Sequence, residues 1–268
     1  MASTDSEMTP DDKRKALEAE FHNKREKDRL NLSEEEFLKK YPNKKIYAID
    51  RGSKDFLWDW LARETPGKRV LDYCCGLGKT SIQLAEMGAH AYGIDISADE
   101  VATAAKTAEE KGLADNTEFK VMDAENMEFP DDSFDVIVCI GVLHHLELAK
   151  AYPELARVLK PDGKIIAAEA LGYNPFIQLY RRMTPHLRTA WETDHILTLR
   201  QVDQGALFFN ETKVEFFHLF TILAIPFQRF SFFKKILRAM EIVDSLVLKI
   251  PLLRRMAWQM VFIYSKPK

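Results

Sequence analysis

Val70-Leu71-Asp72-Tyr73-Cys74-Cys75-Gly76-Leu77-Gly78 is the stretch whose reading decides the fold. A short apolar strand carrying one acid runs into two glycines, which permit a tight turn into a helix starting near Lys79 because glycine adopts backbone angles that other residues resist. The alternation then repeats. Residues 90–95 read as a strand, 97–111 as a helix, 117–122 and 134–140 as strands, 149–159 as a helix and 164–170 as a strand. Such repetition implies a parallel sheet covered by helices. Local signals set the boundaries: Ser97-Ala98-Asp99-Glu100 has the spacing of a capping box, Gly112 can end that helix, and Pro161-Asp162-Gly163 predicts a turn. Two further strands at 213–218 and 259–265, paired antiparallel, complete a Rossmann-like seven-stranded, mostly parallel α/β sheet with helices on both faces.

Outward from this core the chain changes character. Its 268 residues, 46% hydrophobic and 29% charged, are enough for one large α/β domain with elaborations and argue against disorder or a disulfide scaffold. Residues 1–170 carry 24 basic and 34 acidic side chains, whereas 171–268 carry 14 and 7 together with 16 of the 29 aromatics. Four segments follow: a helical cover (1–60), the alternating strand–helix core (61–170), an insertion (171–212), and the last two strands (213–268) interrupted by a helical, aromatic insertion at 221–255. Within the cover, Leu17, Phe21, Leu30, Leu32, Phe37 and Leu38 predict amphipathic helices with modest apolar faces. The longest uncharged apolar stretch, 216–228, is shorter than the roughly 18 residues a membrane span requires. The polar, acidic start lacks the apolar segment of a secretory signal, so a cytosolic protein is expected. Cys74, Cys75 and Cys139 have neither disulfide nor metal spacing, and no metal is expected.

The glycine turn excludes two familiar phosphate sites. A dinucleotide fingerprint from Gly76 would need a glycine at 81, which is Ser81; a phosphate loop ending in Gly78-Lys79-Thr80 would need one at 73, which is Tyr73. What remains is a turn that lets backbone approach a ligand, and Asp95 at the tip of the second strand, where a carboxylate can accept both hydroxyls of a ribose.

Four segments in order then resemble the class I S-adenosylmethionine-dependent methyltransferases, in particular the bacterial small-molecule branch with quinone and natural-product methyltransferases. They are the turn at 70–78, Gly93-Ile94-Asp95-Ile96-Ser97, Asp123-Ala124 with Phe129-Pro130-Asp131-Asp132-Ser133-Phe134-Asp135, and Val142-Leu143-His144-His145 before Leu159-Lys160-Pro161-Asp162-Gly163. The resemblance spans about residues 40–170. It implies S-adenosyl-L-methionine as cofactor, with Asp72, Tyr73, Cys74, Gly76 and Gly78 around its methionine end. It also implies Asp95 on the ribose, Ile96 against the adenine, Asp123 and Ala124 at the adenine edge, and Ile140 at the end of the fourth strand. Cys74 stands where the family has glycine, which places the tightness of the turn in question.

His144 and His145 follow the fourth strand, at the sheet edge where open α/β folds bind ligands. His144 is the favoured general base or orienter of an acceptor, with packing as the alternative. Arg181, Arg182, Arg188 and His186 could reach a polar group on an acceptor. The aromatic insertion has three readings: cap core, lipophilic pocket, or a basic amphipathic surface against a membrane or a second subunit. The expected acceptor is a lipophilic or aromatic small molecule. Nucleic acid is disfavoured by overall acidity and by Cys139-Ile140-Gly141-Val142, which lacks the Asn/Asp-Pro-Pro-aromatic pattern of DNA amino-methyltransferases. RNA or protein methylation, a nucleotide-dependent oxidoreductase, and a non-catalytic binding module are the rival readings.

Overall fold

The computed structural model describes residues 8–41, 49–189, 191–192 and 195–268. Seven strands form one sheet in the order β3-β2-β1-β4-β5-β7-β6. They are β1 (Arg69–Tyr73), β2 (His90–Asp95), β3 (Thr117–Val121), β4 (Phe134–Ile140), β5 (Leu159–Ala170), β6 (Phe209–Phe217) and β7 (Gln259–Pro267). The first five run parallel; β7 is antiparallel to both β5 and β6. Order reverses between β1 and β4, and ligands in such sheets sit at that switch point, outside the strand carboxyl ends.

Helices α1 (Pro10–Asn31), α2 (Glu34–Lys40) and α3 (Arg51–Glu64) precede the sheet, α4 (Lys79–Glu86), α5 (Ala98–Glu110) and α6 (Leu148–Val158) connect its strands, and α7 (Pro175–Met183) and α8 (Leu199–Gln204) follow β5. Between β6 and β7 lie α9 (Phe233–Val247) and α10 (Pro251–Arg254). Both faces of the sheet are covered. Leu57, Trp60 and Leu61 of α3 and Leu84 of α4 pack on Val70, Val136, Val138 and Ile166. Tyr152, Leu155 and Val158 of α6 pack on the other face with Ile137, Cys139, Ile165 and Phe262.

Three local expectations are corrected. Pro161-Asp162-Gly163 does not separate helix from strand: β5 begins at Leu159, and the register jumps from Phe134↔Leu159 to Val136↔Lys164, so these residues form an irregularity within the strand. The capping box at Ser97 is half made. Its hydroxyl accepts from Glu100 N, while the Glu100 carboxylate lies 3.5 Å from His22 Nδ1 instead of returning to Ser97. Finally, α1 docks by its polar side: Arg14, Glu18 and Glu26 are buried, whereas Leu17 and Leu30 are 60% and 65% exposed.

Candidate active site

Three consecutive alternate residues of the glycine turn, Cys74, Gly76 and Gly78, have positive φ (58°, 50° and 67°). The turn is therefore as tight as a glycine would make it, and Cys74 adopts the left-handed backbone at a cost of about 1–2 kcal/mol for its Cβ. Gly78 is required by packing: a Cβ there would lie 2.6 Å from Ala104 Cβ and 2.8 Å from Phe119 Cε1. Gly76 faces a different neighbour, since its Cβ would approach Glu100 Oε2 to 3.1 Å, narrowing the space between turn and α5.

The two acids of the site do different things. Asp72 is buried, and its Oδ2 accepts from Ser81 N (2.9 Å) and Ser81 Oγ (2.7 Å), so it caps α4 from the preceding strand in place of Gly78, which has no side chain to do so. Burial pushes its carboxyl up to about 6. Asp95 instead spreads its oxygens: Oδ2 accepts from Gly76 N and Oδ1 from Ser97 N, each at 2.9 Å. A carboxylate has about four acceptor sites, so two backbone donors leave room for a vicinal diol. Burial raises its pKa as well. Ile96 is half-buried beside it, and Ile140 is 36% exposed at the end of β4. Tyr73 is a structural strut, its hydroxyl donating to Ala124 O at 2.6 Å.

Helix α1 crosses this cleft, which explains why its inward face is polar. Arg14 pairs with Glu125 at 2.7 Å and donates to His145 O at 3.0 Å; Lys15 pairs with Asp123 at 2.8 Å and Glu125 at 3.0 Å. Asn23 Oδ1 accepts from Ser97 Oγ at 2.6 Å. Asp123, expected at the adenine edge, thus holds α1 through Oδ2 and its own loop through Oδ1, which accepts from Glu125 N.

Beyond the turn, His144 and His145 sit on a 3₁₀ turn at the end of β4, with rings 4.3 Å apart. Their partners differ. His144 Nδ1 lies 2.7 Å from Glu169 Oε2, while Glu169 Oε1 accepts from Val142 N (2.8 Å) and Leu143 N (2.7 Å). Burial disfavours the imidazolium, but the Glu169 carboxylate outweighs it and the His144 pKa is raised. His145 Nδ1 meets Glu18 Oε2 at 3.2 Å. On the far side of His144, Glu192 Oε1 lies 3.8 Å from Nε2 and is shared with Arg181 (3.4 Å) and Arg188 (3.3 Å). These two arginines therefore reach the site sharing a single carboxylate. Arg182 is exposed and does not join them, a correction to its expected role, and the His186 side chain lies outside the described residues.

The structure also brings together two sets able to hold a metal, Glu18/His22/His145 and His144/His145/Glu192, each with donor atoms within 4.8 Å of one another. Sequence spacing could not reveal them, because their members come from α1, the turn after β4 and the segment after α7. The thiols offer no nucleophile: burial pushes Cys74, Cys75 and Cys139 well above their usual range. Beside His144 a cavity of about 370 Å³ is lined by Leu143, Leu148, Tyr152, Trp191, Gln201 and Phe208, among others. Trp191 Nε1 is buried with no hydrogen-bond partner among the described residues.

Residues 70–163 match the family model described as "Methyltransferase domain". This segment is a class I S-adenosylmethionine-dependent methyltransferase domain. The chain is 35% identical over 129 residues to the uncharacterized methyltransferase YcgJ of Bacillus subtilis, covering 48% of this chain and 50% of that protein. It is 35% identical over 127 residues to the ubiquinone/menaquinone biosynthesis C-methyltransferase UbiE of Brucella canis, covering 46% and 47%. The chain thus spans about half the length of these curated relatives. Among solved structures, that of the [4+2]-cyclase SpnF is similar, with a TM-score of 0.54 at 24% identity over 79% of this chain and 81% of that one, a likeness of fold.

Proposed function

We propose that the chain is an S-adenosyl-L-methionine-dependent methyltransferase acting on a lipophilic or aromatic small molecule. The observation that carries this reading is the cleft at the sheet's switch point, where a left-handed turn at 74–78 faces Asp95, whose oxygens each hold one backbone N–H. No phosphate-binding lysine or nest is needed for a zwitterionic nucleoside, and a carboxylate at a strand tip suits its ribose. The cofactor supplies an electrophilic methyl group on a sulfonium. Asp95 would fix the ribose, the Cys74–Gly78 backbone the methionine end, and the Asp123–Ala124 loop the adenine edge.

The residues of this chain supply alignment, worth up to roughly 7–11 kcal/mol in well-oriented reactions, and a proton acceptor. Glu169 holds Nδ1–H of His144, which leaves Nε2, on the side of Glu192, as the base. The Glu192–Arg181–Arg188 group, two cations sharing one carboxylate, flanks the outer side of that imidazole. A mostly apolar cavity of about 370 Å³ falls within the size range of small-molecule sites and suits a ring or short isoprenoid. The buried Trp191 N–H fits an acceptor that carries an oxygen. A quinone precursor has both features, in keeping with the name of the Brucella relative.

The test is incubation with labelled S-adenosylmethionine and a lipid-soluble cell extract. A labelled organic-phase product together with S-adenosylhomocysteine is expected; cofactor binding without S-adenosylhomocysteine would instead favour a non-methylating reaction on the same fold.

A further inference from the structure

The outer surface around α7 and the 221–255 insertion is built unlike the rest of the molecule. Fourteen of the nineteen large apolar side chains exposed among the described residues fall between Tyr173 and Leu252. Thirteen of these, all but Leu207 at the cavity beside His144, lie in 173–183 and 221–255, two segments joined by a common cluster of Ile177 of α7, Ala224, Leu237 of α9 and Trp258. On α7 the exposed residues are Phe176 (66%), Leu179 (57%) and Met183 (72%), spaced i, i+3, i+7 and so on one stripe. Helix α9 advances about 100° per residue. That rotation places Ile242, Val243 and Leu246 on one exposed face, with Lys235 between Ile242 and Leu246 and with Lys234 and Arg238 along its edge, opposite the buried Leu237 and Asp244.

Charge distinguishes the partner. Between Arg229 and Arg255 lie seven exposed Lys and Arg side chains and only two acids, of which Glu241 is paired with Arg51 and Asp244 is buried capping the Leu219, Phe220 and Thr221 amides. A second copy of the chain would set like charges against each other across a two-fold interface. Anionic headgroups complement the basic edge while the acyl boundary takes the apolar face. No helix among the described residues is long and apolar enough to cross a membrane, so the contact is with one surface.

We propose that this face docks the protein on an anionic lipid bilayer. The inward side of α7 carries Arg181, which reaches Glu192 beside His144, so a single helix separates the lipid-facing stripe from the candidate site. Delivery of a lipophilic acceptor along α7 rests on the function proposed above; the docking itself does not.

Vesicle sedimentation separates the two, since it requires no turnover. The unmodified protein is expected to sediment with phosphatidylglycerol-rich vesicles, much less with pure phosphatidylcholine, and less at high salt. The triple variant K234E/K235E/R238E should bind the anionic vesicles at least about a hundredfold more weakly, from about fivefold per basic charge. Ile242→Ser with Leu246→Ser should weaken binding without changing the salt dependence, and both variants should keep wild-type circular dichroism and cofactor affinity. Binding unaffected by all of these substitutions would overturn the proposal. So would a protein that ignores anionic vesicles but forms a dimer which the Ile242→Ser/Leu246→Ser pair dissociates.

Discussion

Replacing Glu169 by Gln isolates what the buried carboxylate contributes to His144. The substitution preserves shape and leaves an oxygen able to keep the Val142 and Leu143 amides, which now bond Oε1 at 2.8 and 2.7 Å. At the other position, 2.7 Å from His144 Nδ1, an amide would donate where a carboxylate accepted. The ring must then present its unprotonated nitrogen to Gln and turn Nε2–H outward, the wrong tautomer for a base. The lost interaction is one charge-assisted hydrogen bond, about 1.5–3 kcal/mol, equivalent to roughly 1–2 pH units at 1.36 kcal/mol per unit. Because Glu169 raises the His144 pKa against the opposing effect of burial, its removal lowers that pKa. His144 must be neutral to accept a proton, so wild-type turnover should rise as pH passes upward through the elevated pKa. In the variant that limb should move to lower pH while the plateau falls about ten- to a hundredfold. An NMR titration of the His144 ring measures the shift before any acceptor is identified. An unchanged His144 pKa in the Gln variant would refute the coupling.

Asp72→Asn should flatten the pH dependence of stability. With a folded pKa of about 6 against 3.8 unfolded, the wild-type contribution is fully present below pH 3.8 and is lost as pH rises through 6, about 3 kcal/mol in all, which urea denaturation at both extremes will register. Gly78→Ala must fit a Cβ at φ +67° within 2.6 Å of Ala104 Cβ; a loss of about 2–5 kcal/mol is expected, and a change under about 1 kcal/mol would contradict the packing described. Arg14→Ala leaves Glu125, whose side chain is fully buried, with Lys15 as its remaining cationic partner; hydrogen exchange in α1 should quicken roughly a hundredfold, for about 2–3 kcal/mol of lost attachment, with the sheet unaffected.

The centre of the sheet was legible because β1, β2 and β4 are short, mostly apolar and buried runs, and they fall on the expected residues. Cys74 was readable as a departure from glycine, but that a β-carbon tolerates a φ of +58° there follows only from the fold. The cover was misread in orientation. Leu17 and Leu30 suggested the inward face of α1, yet what lies beneath is Asp123 and Glu125, with His145 beside them, so the helix turns Arg14 and Lys15 to the two acids and Glu18 to the histidine. Glu169 was missed although it left a signal, a lone acid in the apolar run Ile165–Ala170, where an unpaired carboxylate would be costly to bury. Glu192 left none. Its role arises only when the segment after α7 returns it, with Arg188, to Arg181 at the side of His144.

Calorimetric titration of S-adenosylmethionine into the wild-type chain and into Asp95→Ala decides whether the cleft between the glycine turn and Asp95 binds the cofactor. Losing the ribose contacts, at about 1.5–3 kcal/mol per charge-assisted hydrogen bond, should weaken one-site binding by about tenfold or more in a variant that keeps its circular dichroism spectrum. Absence of binding to the wild type, or equal affinity in the two proteins, would mean that Asp95 does not hold the cofactor in this cleft.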